Sequence, residues 1–192
     1  MPDTIVYLPF KHDSTRNLVA VIANSDESGP SYSNSGTIFR PTNDEIGSDS
    51  GGDYFILPGD FTSETILVGY SYDFIVSLPH FYYRTGDDYA TTDYTAYLTV
   101  SRLKFNFGLS GDISFTVKAG GRADWETTGG DVVANYYRLN DIPFTANSTF
   151  TLPIYQRSEN FLVDVTSDSP FPVALSSLMW EGNYSPRFYT RK

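Results

Sequence analysis

The sequence predicts an all-β protein: an antiparallel β-sandwich or barrel-like sheets, with long polar loops and little or no helix. Apolar residues recur at every second position in several stretches, the period of a half-buried strand. The 15 Tyr and 14 Phe suit pleated, partly buried surfaces better than helices. The 15 Gly and 11 Pro are scattered and cut the chain into short runs, and no window of ten residues shows a capped helical period.

Ile5 to Phe10 and Leu18 to Ala23 are short apolar strand candidates. Asn24 to Asp53 is rich in Ser, Gly, Asn and Asp, and reads as a long excursion, or two loops around a short strand at Thr37 to Arg40. Ile66, Val68, Tyr70, Tyr72, Phe74, Val76 and Leu78 then alternate with small or polar residues, which predicts one long strand stopped by Pro79. Thr85 to Asp93 reads as a polar loop. Tyr94 to Leu109 predicts a second long strand, bulged near Ser101. Ser110-Gly111-Asp112 makes a tight turn into Ile113 to Ala119, and the two strands read as a hairpin with one buried and one wet face. Gly120-Gly121 and Gly129-Gly130 bracket a turn-rich section around Trp125. Val132 to Leu139, Thr149 to Tyr155, Asn160 to Thr166 and Val173 to Trp180 are further strand candidates, with room for a short helix near Leu175 to Trp180.

At 192 residues the chain can bury a sizeable core as one domain or two small ones. The organisation expected is a loop-rich, acidic β segment over residues 1–60 and a β domain over 61–192. The absence of Cys removes disulfides, thiolate catalysis and Cys-based zinc sites. The opening MPDTIVYLPFKHD lacks a signal-peptide pattern, and no stretch reaches the roughly 18 apolar residues of a membrane helix. The net charge of −10 is lopsided: residues 1–100 hold fourteen acids against four bases, while residues 101–192 are balanced. Such a surface does not clamp phosphates; it suits a solvated face, or one that DNA passes without sticking.

The residues offer no recognisable catalytic constellation. His12 and His80 lie in separate segments, and neither nucleophile-elbow nor phosphate-loop spacing occurs. The acid-rich runs, Asp44, Glu45, Asp49 and Asp53, and Asp87, Asp88 and Asp93, lack EF-hand spacing and read as solvated loops. A glycosidase pair of carboxylates is set by space and not by sequence, so an enzyme stays open on residues alone. The adjacent pairs Tyr82-Tyr83 and Tyr136-Tyr137 point to opposite faces of a strand, which asks for a second buried surface, a sheet or a neighbouring subunit. The ending GNYSPRFYTRK, following Trp180, is aromatic where termini are usually polar, so it either packs back or docks on a partner.

The run SDSPFPVALSSLMWEGNYSPRFY resembles the C-terminus of the nozzle protein, also called tail tubular protein B, of short-tailed, autographivirus-type phages. YTAYLTVSRLKFNFGLSGDISFTVKAGGRADW and NDIPFTANSTFTLPIYQRSENFLVDVTSDSPFP resemble segments of the same family, and GYSYDFIVSLP does so more weakly. The likeness runs from about Tyr94 to Tyr189, with a fainter extension from Phe61. Full nozzles are several times longer, which leaves a fragment, a split gene product and a separate subunit as readings.

The resemblance implies a virion structural protein of the tail tip, made in the host cytoplasm. It implies a hexameric ring beneath the adaptor ring, which extends the DNA-exit channel and supports the fibres. DNA would pass without specific binding. The resemblance implies no cofactor, no metal, no catalytic residue and no membrane insertion by this chain. On this reading Trp180, Tyr184, Pro186, Arg187, Phe188 and Tyr189 serve packing or a subunit interface, and Asp44, Asp49, Asp53 and Asp60 face the lumen. The alternative is a receptor- or carbohydrate-binding β-sandwich of the tail tip, in which exposed aromatics stack on sugars.

Overall fold

The computed structural model describes residues 3–23, 36–85, 91–94, 96–129 and 148–186. Fifteen strands account for nearly all of its regular structure: β1 (Asp3–Tyr7), β2 (Leu18–Ala23), β3 (Ile38–Phe39), β4 (Ile46–Asp49), β5 (Gly52–Pro58), β6 (Thr65–Tyr70), β7 (Phe74–Leu78), β8 (Tyr83–Thr85), β9 (Thr91–Asp93), β10 (Tyr97–Phe107), β11 (Ile113–Ala119), β12 (Trp125–Gly129), β13 (Ser148–Arg157), β14 (Phe161–Ser167) and β15 (Leu175–Ser185). Helical structure among the described residues is confined to two 3-10 turns, Asn43–Glu45 and Ser158–Asn160. The pairings among the described residues are all antiparallel, and with strands as nearly all of the regular structure the fold is all-β.

The larger core lies between two sheets, ordered β13-β10-β15 and β12-β11-β14-β7. Each strand sends alternate side chains inward. Leu103, Phe105 and Phe107 of β10 meet Phe115 and Val117 of β11, with Val163 and Val165 of β14 beside them. The Phe105 and Phe115 rings are 4.7 Å apart, and Phe150 stacks on Phe115 at 4.8 Å. This is a β-sandwich whose two inner faces share one core.

A smaller core lies between the sheets β1-β5-β4 and β3-β2-β6. It holds Leu8, Leu18, Ala20, Phe55 and Leu57, with Phe39, Phe61, Ile66 and Val68 packed around them. β2 is buried on both faces: Leu18 and Ala20 face this core, while Val21 packs with Phe171, Ile38 and Leu109. The β3-β2-β6 sheet joins residues from both sides of residue 60. Arg40 ties the two sandwiches, donating to the Asp168 carboxylate at 2.8 Å and to its backbone carbonyl at 3.1 Å.

Several elements differ from the sequence expectation. The alternation from Ile66 to Leu78 is two strands, β6 and β7, in different sheets. They keep the same parity, so Ile66, Val68 and Tyr70 feed the smaller core and Phe74, Val76 and Leu78 the larger. The break falls at Ser71, whose N–H donates to the Asn17 carbonyl.

β10 and β11 are not a hairpin either; they face each other across the sandwich. The connecting corner is held by residues 167–174: Gly111 N–H donates to Pro172, Ala174 N–H to the Ser110 hydroxyl, and the Ser167 hydroxyl to Asp112. A Cβ on Gly111 would collide with Ser169 and Phe171, so this corner closes around glycine.

An unexpected hairpin, β4-β5, starts inside the long excursion and runs on to Pro58, because β1 supplies a partner that polar residues alone do not advertise. The polar stretch from Thr85 starts and ends in strand, with β8 paired to β9. β12 forms where a turn-rich section is expected, while β15 bears out the Val173 to Trp180 strand candidate and leaves no short helix near Leu175 to Trp180. The bulge in β10 falls between Val100 and Arg102, as the sequence predicts. The Val132 to Leu139 strand candidate lies outside the described residues.

Candidate functional site

β15 carries Trp180 and Tyr184 of the aromatic C-terminal run and, among the described residues, forms one edge of its sheet. Register with β10 decides where its side chains point. Trp180 pairs with Leu103 and Tyr184 with Leu98, both inward residues, so Trp180 and Tyr184 turn into the sandwich and lie partly buried against the larger core. Tyr184 stacks on Tyr83 at 4.1 Å, and its hydroxyl donates to the Asp93 carboxylate at 2.9 Å. Partial burial raises the Tyr184 pKa, and the bonded Asp93 raises it further. Pro186 ends the strand in an exposed position. Arg187, Phe188 and Tyr189 lie outside the described residues.

The other face of the same strand is charged. Glu181 bridges Arg102, at 2.9 Å, and Lys104. The Lys104 hydrogen bond leads the effects that hold the Glu181 carboxyl below its usual range. On the opposite sheet Lys118 pairs with Asp164 at 2.6 Å. The sequence did not single out these pairs, since each depends on strand register. Arg157 lies over the Tyr97 ring at 4.4 Å, a cation–π contact.

Three of the four singled-out acids hold local structure. Asp49 accepts from the Tyr7 hydroxyl at 3.0 Å and from Gly51 N–H at 2.7 Å. Asp53 accepts the His12 N–H at 2.7 Å, and this bond, with the Ser48 hydroxyl, lowers its pKa. Asp60 accepts from the Thr62 hydroxyl and N–H, which lowers its pKa too. Asp44 is exposed in the first turn of the 3-10 segment. The four are spread over the β4-β5 hairpin and its flanks, and among the described residues no group of three acidic or imidazole side chains could hold a metal ion. Asp87 and Asp88 lie outside the described residues.

The sequence also missed an apolar patch on the outer face of β1-β5-β4. Ile5 pairs with Ile56 and Tyr7 with Tyr54 across the strands. Ile5, Ile56 and Tyr7 are 53%, 51% and 49% exposed. Neither short strand advertises this patch until the pairing aligns them.

The model of the bacteriophage nozzle protein family matches residues 3–191. The chain belongs to the bacteriophage nozzle protein family. Its kinship therefore reaches the whole N-terminal sandwich, of which the sequence resemblance touches only the part from about Phe61. No curated protein matches the chain. As a nozzle-family member it is a structural component of the phage tail, and the β15 surface and the outer β1-β5-β4 face are parts of a virion protein.

Proposed function

We propose that this nozzle-family chain works through protein–protein contacts, as a subunit of a hexameric ring at the tail tip. The ring extends the DNA-exit channel, sits beneath the adaptor ring and supports the fibres. The observation that carries this reading is a family match spanning both sandwiches. The tail role requires no catalysis and no cofactor.

The acid-rich N-terminal sandwich is the part we assign to the DNA path, because like charge keeps DNA from sticking. Asp44 and Asp60 are the acids to test. Asp44→Lys together with Asp60→Lys should slow DNA ejection from assembled particles, most strongly at low ionic strength. Unchanged ejection kinetics in particles that assemble normally would remove these acids from the channel. Native mass spectrometry of the purified chain reads the ring itself, and a chain that stays monomeric at every concentration tested counts against it.

A second reading has one observation in its favour. Tyr82 and Tyr94 meet edge to face at 5.0 Å beside Glu159, and Tyr94 is 72% exposed. Exposed aromatic faces with nearby carboxylates suit neutral sugars, as in a carbohydrate-binding tail-tip sandwich. Titration with neutral oligosaccharides, repeated on Tyr94→Ala, tests it; no heat of binding from either protein rejects it.

A further inference from the structure

The outer face of β1-β5-β4 is an apolar surface with an acidic rim. Pairing registers place Asp3, Ile5 and Tyr7 of β1 beside Pro58, Ile56 and Tyr54 of β5, all on one side. Tyr54 lies over Gly47 of β4, where a Cβ would strike its ring, so the aromatic surface continues across the sheet. Asp49 sits on the same side, hydrogen-bonded to the Tyr7 hydroxyl. None of these strands contributes a Lys or Arg. Exposed apolar patches rimmed by charge mark contact surfaces more often than isolated exposed residues do.

The sequence contains a segment of complementary chemistry. Residues 187–192, RFYTRK, carry Arg187, Arg191 and Lys192, no acid, and two aromatic side chains. They follow β15, which belongs to the other sandwich. We propose that residues 187–192 of one copy dock on the outer β1-β5-β4 face of a neighbouring copy. Phe188 and Tyr189 cover Ile5, Ile56 and Tyr7, and the basic side chains meet Asp3 and Asp49. Aromatic and Arg residues are the enriched anchors of protein interfaces, and opposite rims fix orientation. The contact is head to tail, the arrangement that closes rings. It rests on the ring reading above, and it gives Asp49 to the subunit contact instead of the lumen.

The test uses the full chain with a photo-crosslinking benzoylphenylalanine in place of Phe188. Light and heavy isotope-labelled chains are mixed before assembly, irradiated, and mapped by mass spectrometry. Native mass spectrometry reads the oligomer in the same samples. The expected result is mixed-isotope crosslinks from position 188 to residues 3–7 or 54–58. Crosslinks confined to chains of one isotope would show the tail folding back on its own copy and overturn the proposal. An oligomer whose crosslinks fall elsewhere would overturn the docking site while leaving the ring intact. A monomer at all concentrations would overturn the ring reading itself. As a second arm, Arg187→Glu, Arg191→Glu and Lys192→Glu together should weaken assembly by about ten- to hundredfold. Adding Asp3→Lys should recover part of that loss, and no change in either variant counts against the contact.

Discussion

Asp53 and Asp60 show how single residues tie the N-terminal sandwich to pH. Donated hydrogen bonds stabilise their ionised forms, from His12 N–H and the Ser48 hydroxyl for Asp53 and from Thr62 for Asp60. Each therefore has a folded pKa below that of the unfolded chain. The stability they contribute is complete above the unfolded value of about 4 and is lost as the pH falls through the lower, folded value. Asp13, Asp164 and Glu181 are shifted the same way. Urea midpoints should hold steady near neutrality and decline below about pH 4, and Asp60→Asn should make that decline shallower. An identical acid slope in the variant would assign the loss to the other carboxylates. Trp180 is a different residue-scale case. Its ring is only partly buried, so Trp180→Ala should cost about 2 kcal/mol, below the ~3–5 kcal/mol of a fully enclosed ring. Denaturant unfolding of the dilute monomer checks that figure. The ring was legible in the sequence as an aromatic in an aromatic tail; its inward direction was not, because direction follows from register with Leu103.

At the scale of elements, the sequence was readable where a core dictates the apolar pattern and opaque where the partner makes the strand. β2, β10, β11, β13 and β14 alternate or run apolar because the cores demand it, and their positions follow from pattern alone. β4 is Ile-Gly-Ser-Asp, a sequence with little strand preference, and it forms because β5 is already paired to β1. Period two also says nothing about which strand lies alongside. That is why β6 and β7 read as one strand, and why β10 and β11 read as a hairpin though they pack face to face. The same gap hid the Ile5–Ile56 patch, which exists only as a cross-strand pair. The β10 bulge gives a prediction that belongs here. Gly182 of β15 lies opposite Val100, and a Cβ there would collide with the backbone of Thr99 and Val100. Backbone cannot step aside as a flexible side chain can, so Gly182→Ala should destabilise by about 1–3 kcal/mol. Gly108→Ala is the control, since its added carbon meets Ala174 at ordinary contact distance. Equal denaturation midpoints for the two variants would mean the bulge yields more easily than this geometry requires.

For the whole molecule, the junction of the two sandwiches decides whether they unfold together. Its contacts include the cluster of Val21, Phe171, Ile38 and Leu109, and the Arg40–Asp168 pair, whose side chains are about half exposed and whose ionic part is worth little in water. Beside them an apolar groove of about 230 Å³, lined by Val19, Leu67, Tyr72 and Pro170 among others, leaves part of the seam unfilled. Phe171 is the large side chain that plugs the seam, and it is nearly fully buried. Phe171→Ala should therefore remove about 3–5 kcal/mol from the joint, with both cores keeping their own residues. Cooperativity between two packed units depends on the free energy of their interface, so weakening it separates their melting. The expected calorimetric result is a single transition for the parent chain and two resolved transitions for Phe171→Ala, the lower one belonging to the smaller core. Asp60→Asn, placed in the N-terminal part, identifies the transitions: combined with Phe171→Ala it should change the acid sensitivity of the lower transition and leave the upper one in place. A single transition that merely shifts downward would show that the short Ser71 to Asp73 link between β6 and β7 couples the sandwiches more firmly than the seam does.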